Sequence, residues 1–389
     1  MKVLIADKLS SSAVDRMESG GHAVVTDPTL DGDSLTAALT RENPNVLIVR
    51  STKVRAEHLD AASGLELVVR AGAGVDNIDT TGASERGIFV ANCPGKNSDA
   101  VAELTTGLLL SLDRSIPDNV AYARAGKWRK GHYGKAAGVR GRRLAVIGTG
   151  NIGRAVIRHA QALGMQVTAW SRSLTDDDAQ AMGVRRALSP VEAVRDADAV
   201  TLHVASTPET KGMAGRVFFE AMKPGAFFLN TTRGAVVDDD ALAWALENRG
   251  VRAALDVFNG EPSGKEGDLE HALANHPSVY LTHHIGASTE QAQEAIAEEA
   301  ARIVDVYAST GKVPHCVNLA TKTPATHLLT VRHRDRVGVL AAVLDHVRRA
   351  GWNVQEMENL IFDGAQAACA RIRFTGTPDD DALAAIKSS

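Results

Sequence analysis

Cysteine is scarce in this sequence. The three present, Cys93, Cys316 and Cys369, are scattered and share no metal-ligand spacing. That excludes a disulfide scaffold or a cysteine-held metal as the organising feature. Unpaired thiols of this kind fit a reducing compartment, so a cytoplasmic location is expected. Charge of either sign is also not in excess. The formal net charge of −4 leaves no global field that would call for a nucleic acid or a membrane surface as partner. No apolar run approaches the roughly 18 residues of a membrane span, and the opening MKVLIA is far too short for a signal peptide. Internal repeats and low-complexity tracts are missing as well.

What is present is the material for more than one buried core. The chain has 389 residues, 44% hydrophobic and 23% charged, so two or three domains are expected. Short apolar runs at 1–6, 45–49, 65–71 and 87–92 alternate with helical or turn stretches, the rhythm of a parallel sheet covered by helices on both faces. A second series follows at 143–148, 166–170, 197–204, 226–232, 252–258 and 279–284. The segment 100–112 is apolar almost all round and reads as a helix buried between larger units. The amphipathic segment 288–310 reads as a long helix that returns the chain to the first sheet. Beyond a linker at 321–326, the pattern changes to a small βαββ unit with a second helix near 377–389 and no strand after it.

The clearest motif is Gly148-Thr149-Gly150-Asn151-Ile152-Gly153. Alone it is weak, but a strand precedes it, a helix follows it, and a second strand comes at the right distance. Gly148 makes the tight turn, Gly150 lets the backbone approach a pyrophosphate, and Gly153 allows close helix–strand packing. The phosphates would lie on the helix N-terminus near Asn151 and Ile152, where free N–H groups favour anions. The second strand ends in Ser171-Arg172-Ser173, where an NAD site ordinarily carries an acid. Nothing acidic lies between Asp118 and Asp176. A guanidinium with two hydroxyls suits a 2′-phosphate, which leans the cofactor from NAD(H) towards NADP(H). A solvated loop arginine is the alternative.

The segments 69–79 (VRAGAGVDNID), 92–103 (NCPGKNSDAVAE), 229–242 (LNTTRGAVVDDDAL), 254–262 (ALDVFNGEP) and 281–289 (LTHHIGAST) resemble the signatures of the D-isomer-specific 2-hydroxyacid dehydrogenases. The resemblance covers about residues 1–320 and implies an α/β fold in which a Rossmann dinucleotide-binding domain (99–285) is inserted in a flavodoxin-like substrate domain (1–98 and 286–320). It also implies roles. Arg233 would hold the substrate carboxylate and polarise the 2-carbonyl, and His284 would be the acid–base group. Glu261 would orient and stabilise that imidazole, Asp256 would sit near the nicotinamide, and Thr207 would touch the cofactor. Hydride would pass between nicotinamide C4 and substrate C2. His283 stands where the family has proline, and Ala205 and Ser206 replace its usual proline and leucine.

On the substrate side, Ala73 and Gly74 resemble a turn whose N–H groups take a carboxylate, with Asn97 lining the same cleft. Arg50 and Ser51 lie in a loop resembling the one that faces the substrate, one residue shorter than the family pattern. Residues 124–143 hold eight Lys or Arg and no acid. They read either as a positive field over the cleft, with Trp128 reaching a partner subunit, or as a solvated loop. Residues 332–362 resemble the start of an ACT domain, a small α+β regulatory fold assigned here to 327–389. His333 and Asn353 are kept, while Asp335 and Val337 replace the customary asparagine and proline. An amino-acid effector there, or a purely structural dimerisation role, remain open.

The resemblance points to a small anionic hydroxy acid as substrate, with D-3-phosphoglycerate favoured by the ACT-like tail. Reduction of glyoxylate or hydroxypyruvate is the closest alternative, and a non-catalytic NAD(P)-sensing protein the more distant one. A homodimer or homotetramer is expected, with no metal.

Overall fold

The computed structural model describes residues 1–262 and 267–388, and the chain divides into two compact units, Met1–Asn318 and Leu319–Ser389. The first unit holds two parallel sheets. Strands β1 (Lys2–Ile5), β2 (Ala23–Thr26), β3 (Val46–Val49), β4 (Leu67–Arg70) and β5 (Phe89–Asn92) form one in the order 2-1-3-4-5. This is the flavodoxin-like order. Strands β1, β3 and β4 are buried on both faces, which is why they read as unbroken apolar runs rather than alternating ones.

From β5 the chain enters the helix Ser98–Arg114 and builds the second sheet. Strands β6 (Arg143–Ile147), β7 (Gln166–Trp170), β8 (Arg185–Arg186), β9 (Ala199–Leu202), β10 (Phe227–Asn230), β11 (Arg252–Leu255) and β12 (Val279–Leu281) take the order 12-11-10-9-6-7-8. That is the Rossmann order with one further parallel strand. The expected helix after β12 runs Glu290–Thr310 and does return to the first sheet. Its Ile296, Ala300 and Ile303 pack with Val3, Ile5 and Val46 in one core. Residues 315–318 then lie antiparallel along β5, through an Ala91–Cys316 bridge and a Val317 N–H to Val90 O bond of 2.8 Å. Among the described residues no helix is long and apolar enough to cross a membrane.

Register decides where the chemistry can sit. Ile147, Leu202, Asn230, Leu255 and Leu281 are paired in one row across the second sheet. The Gly148 turn, Arg233, Asp256 and His284 all follow that row, at the carboxyl ends of parallel strands, where open α/β sheets bind ligands. Lys8, Arg50 and Ala71–Gly74 follow the corresponding ends of β1, β3 and β4.

The second unit is the expected small α+β fold. Strands β13 (His327–Arg334), β14 (Asn353–Ile361) and β15 (Ala367–Thr375) form an antiparallel sheet ordered 13-15-14. The helices Val339–Arg349 and Asp380–Ser388 share its core with Ile372 and Phe374. Trp352 stacks on Phe374 at 4.5 Å and donates its indole N–H to Thr377 O. The run βαββα is that of an ACT-like domain.

Candidate active site

The loop after β12 carries the first group. His284 has φ 51°, a left-handed conformation that costs a non-glycine residue about 1–2 kcal/mol. Asp256, buried at the end of β11, holds it there. Its carboxylate accepts from Thr282 Oγ1 (2.6 Å), Ile285 N (2.9 Å) and Gly286 N (2.8 Å), and its carbonyl accepts from His284 N (3.0 Å). Asp256 is thus enclosed beneath the His284 loop.

Glu261 Oε2 lies 2.8 Å from His284 Nδ1, and Oε1 accepts the Phe258 N–H. Burial pushes the Glu261 carboxyl up, but the His284 bond and the Phe258 N–H outweigh it, and the net shift is downward. An ionised Glu261 accepts a hydrogen bond from Nδ1–H, which leaves Nε2 of a neutral ring as the proton acceptor. His284 borders a cavity of about 440 Å³ that also meets Lys8, Arg50, Ser51, Arg70 and Asn97. The Asn97 Oδ1 is buried there and has no hydrogen-bond partner among the described residues.

Arg233 is spread over the 72–74 turn. Nε donates to Asp76 at 2.9 Å and Nη1 to Thr232 O at 2.7 Å, while Nη2 lies across Gly74. Arg70 folds back over Gly72, whose φ of 153° and missing Cβ make the space. Burial first, then the neighbouring positive charges of Arg233 and Arg50, lower the Arg70 pKa. Asp7 organises the opposite wall. It accepts from the N–H groups of Arg50 (2.7 Å), Ser51 (2.9 Å) and Thr52 (2.9 Å), and from Ser51 Oγ. Burial raises its pKa, the backbone bonds lower it, and the bonds prevail.

Arg233, Glu261, His284, Arg50, Ser51, Ala73, Gly74 and Asn97 therefore gather around one end of the sheets. Lys8, Arg70 and Asp7 join them without having been singled out from the sequence. The usable signal was their place at the ends of apolar strands.

The dinucleotide turn lies on the second sheet. Gly148 has φ 105°, and a Cβ there would come within 2.3 Å of His203 O; one on Gly153 would come within 1.9 Å of Gly148 O. Gly150, by contrast, faces open space at the start of the helix Asn151–Ala162, which has no side-chain cap. Open N–H groups on an unobstructed glycine fit a pyrophosphate. Beside them a cavity of about 480 Å³ is bordered by Ser171, Arg172, Ser173, Arg154 and Thr207. Thr149 Oγ1 and Ser171 Oγ are 2.8 Å apart, and Thr207 donates to Glu209 at 2.6 Å. His203 lies on the wall, its pKa pushed down to about 3 by burial, so it is a neutral ring.

Known proteins share this architecture. Residues 106–286 match the NAD-binding domain of the D-isomer-specific 2-hydroxyacid dehydrogenases. The TT0316 protein of Thermus thermophilus, a solved structure, is 34% identical with a TM-score of 0.72; the match covers 82% of this chain and 100% of that one. The chain belongs to this dehydrogenase family. Among curated members, the D-3-phosphoglycerate dehydrogenase of Methanocaldococcus jannaschii is 38% identical over 297 residues, which is 76% of this chain and 55% of that one. The enzyme of that name from Rattus norvegicus is 38% identical over 310 residues, 78% and 56% of the two chains. This family member thus spans about half the length of the curated relatives it matches.

Proposed function

We propose that the chain oxidises D-3-phosphoglycerate at C2, reversibly, with a nicotinamide dinucleotide. The observation that carries this reading is the gathering of Lys8, Arg50 and Arg70 around the cleft that His284 borders, with Arg233 at its side. One cation suffices for the carboxylate of a simple 2-hydroxy acid. This excess of positive charge suits a substrate with a second, phosphate-like anion at its far end. The relatives named for that substrate support the same choice.

In this reading Arg233 and the N–H groups near Gly74 hold the carboxylate. Arg50, Arg70 and Lys8 hold the phosphate. His284 Nε2 receives the C2 hydroxyl proton, and the Glu261 carboxylate steadies the imidazolium that results. When bound, the nicotinamide supplies the acceptor for the C2 hydride. Asp256 keeps the His284 loop in its left-handed turn rather than meeting the substrate.

For the cofactor we propose NADP(H) over NAD(H), on Arg172 and the adjoining Arg154, with no acid at the end of β7. A homodimer or homotetramer would use the surface around Trp128, which is 86% exposed; Ile116 and Val120, earlier in the chain, are exposed as well. An amino-acid effector at the ACT-like unit and a cytoplasmic location belong to the same reading.

The test is a panel of D-2-hydroxy acids and 2-keto acids with each cofactor. D-3-phosphoglycerate should exceed D-glycerate in kcat/KM by about 10²-fold, the worth of one buried charge-assisted contact or more. A flat panel, or a preference for the uncharged-tail acid, would overturn the phosphate assignment.

A further inference from the structure

A second group of charges lies behind the cleft, where the site just described leaves it unused. Glu299, on the helix Glu290–Thr310, is only 5% exposed. Its carboxylate meets three cationic or ionisable partners: Arg302 at 2.6 Å, His315 at 3.0 Å and Lys96 at 3.3 Å. Arg302 lies one turn along the same helix, so that pair is local. The other two come from different parts of the chain. His315 starts the strip that lies along β5, where its carbonyl accepts from Asn92 N. Lys96 belongs to the loop that carries the chain from β5 into the second sheet.

That loop touches both halves of the site. Asn92 Nδ2 donates to Ala73 O at 2.5 Å, and Cys93 N donates to Gly72 O at 2.9 Å, so the loop holds the substrate turn. Gly95 lies so near the dinucleotide helix that a Cβ would stand 2.7 Å from Asn151 Nδ2. Asn97 borders the substrate cavity. A buried carboxylate tied to such a loop resists its displacement, because moving Lys96 away strips a low-dielectric charge of a partner.

Resting on the site reading above, we infer that Glu299 is a positioning residue: through Lys96 it sets the 93–97 loop, and so places Asn97 and the 72–74 turn against Arg233 and His284. Glu299 does not itself reach the cavity. Its effect is on substrate geometry, whereas cofactor affinity depends mainly on the Gly148–Gly153 turn.

The experiment compares full-length wild type, Glu299→Gln and Lys96→Met. For each, substrate KM and kcat are measured with the best acid from the panel, binary NADPH affinity by fluorescence, and Tm. Lys96 is 41% exposed and its loss leaves Glu299 paired with Arg302 and His315, so that variant keeps the fold. Both variants are expected to raise substrate KM roughly 10- to 100-fold, the scale of a misplaced binding group, with NADPH affinity within about 3-fold. The double variant should be no worse than Glu299→Gln alone. A lowered Tm with unchanged KM in both variants would overturn the inference and leave Glu299 as packing only. If wild type prefers an acid other than D-3-phosphoglycerate, the functional reading fails separately, and the same comparison proceeds with that acid.

Discussion

Arg233 Nη2 occupies the space that a side chain on residue 74 would need: a Cβ built there would lie 2.0 Å away. The guanidinium is the movable party, being the far end of a flexible chain. Gly74→Ala is therefore expected to leave Tm nearly unchanged while raising substrate KM by about 10- to 100-fold, since Arg233 must leave its position. Unaltered kinetics would show that Arg233 does not bind substrate from this pose.

Glu261 and His284 are joined through Nδ1 at 2.8 Å and should act as one unit. His284→Ala is expected to lower kcat by about 10²- to 10⁴-fold, and Glu261→Gln by a smaller factor. In the double variant the losses should not multiply, because Glu261 works through the ring. Multiplying losses in steady-state kcat would separate the two roles.

Asp7 carries a pH prediction. Its folded pKa lies below the ordinary value because the N–H groups of residues 50–52 prefer the ionised form. A depressed carboxyl contributes stability that is present above its unfolded pKa of about 4 and is lost as pH falls through the folded value. Asp7→Asn should cost about 1–3 kcal/mol at neutral pH. In urea titrations the gap to wild type should narrow below about pH 4. A gap independent of pH would assign the loss to packing.

Arg172 tests the cofactor reading. Arg172→Ala should raise KM for NADP(H) by about 10- to 100-fold, one charge-assisted phosphate contact, with NAD(H) altered by less than about 3-fold. Equal effects on both cofactors would remove the 2′-phosphate role.

Much of this was legible because parallel strands buried on both faces are conspicuous. β1, β3–β7 and β9–β12 announce themselves as apolar runs, and the residues that follow them are the site. β2 escaped, since it is an edge strand whose Ala23–Thr26 are half exposed and whose short run resembles a helix end. Arg70 escaped for another reason. It ends an apolar strand and reads as a solvent-facing charge, and only the backbone at Gly72 reveals that it folds back under cover. Glu299 looks like an ordinary polar position on an amphipathic helix. Lys96 and His315, distant in sequence, turn it into a buried anchor. Asp256 was expected near the nicotinamide, and the bonds that enclose it come from a loop that forms only after β12. Side-chain destinations set by distant backbone are the part that one-dimensional pattern cannot reach.

The helix Glu290–Thr310 and the strip 315–318 complete a sheet whose strands all precede residue 93. On a ribosome the order matters. The 1–98 segment emerges with the Val3–Ile5–Val46 face bare, and its cover arrives only after the whole dinucleotide domain has been made. The inserted domain is continuous and can fold first, while the substrate lobe waits with apolar surface exposed. That face therefore cannot be buried until the helix Glu290–Thr310 has been made, a consequence of encoding the cover of a sheet so far from its strands.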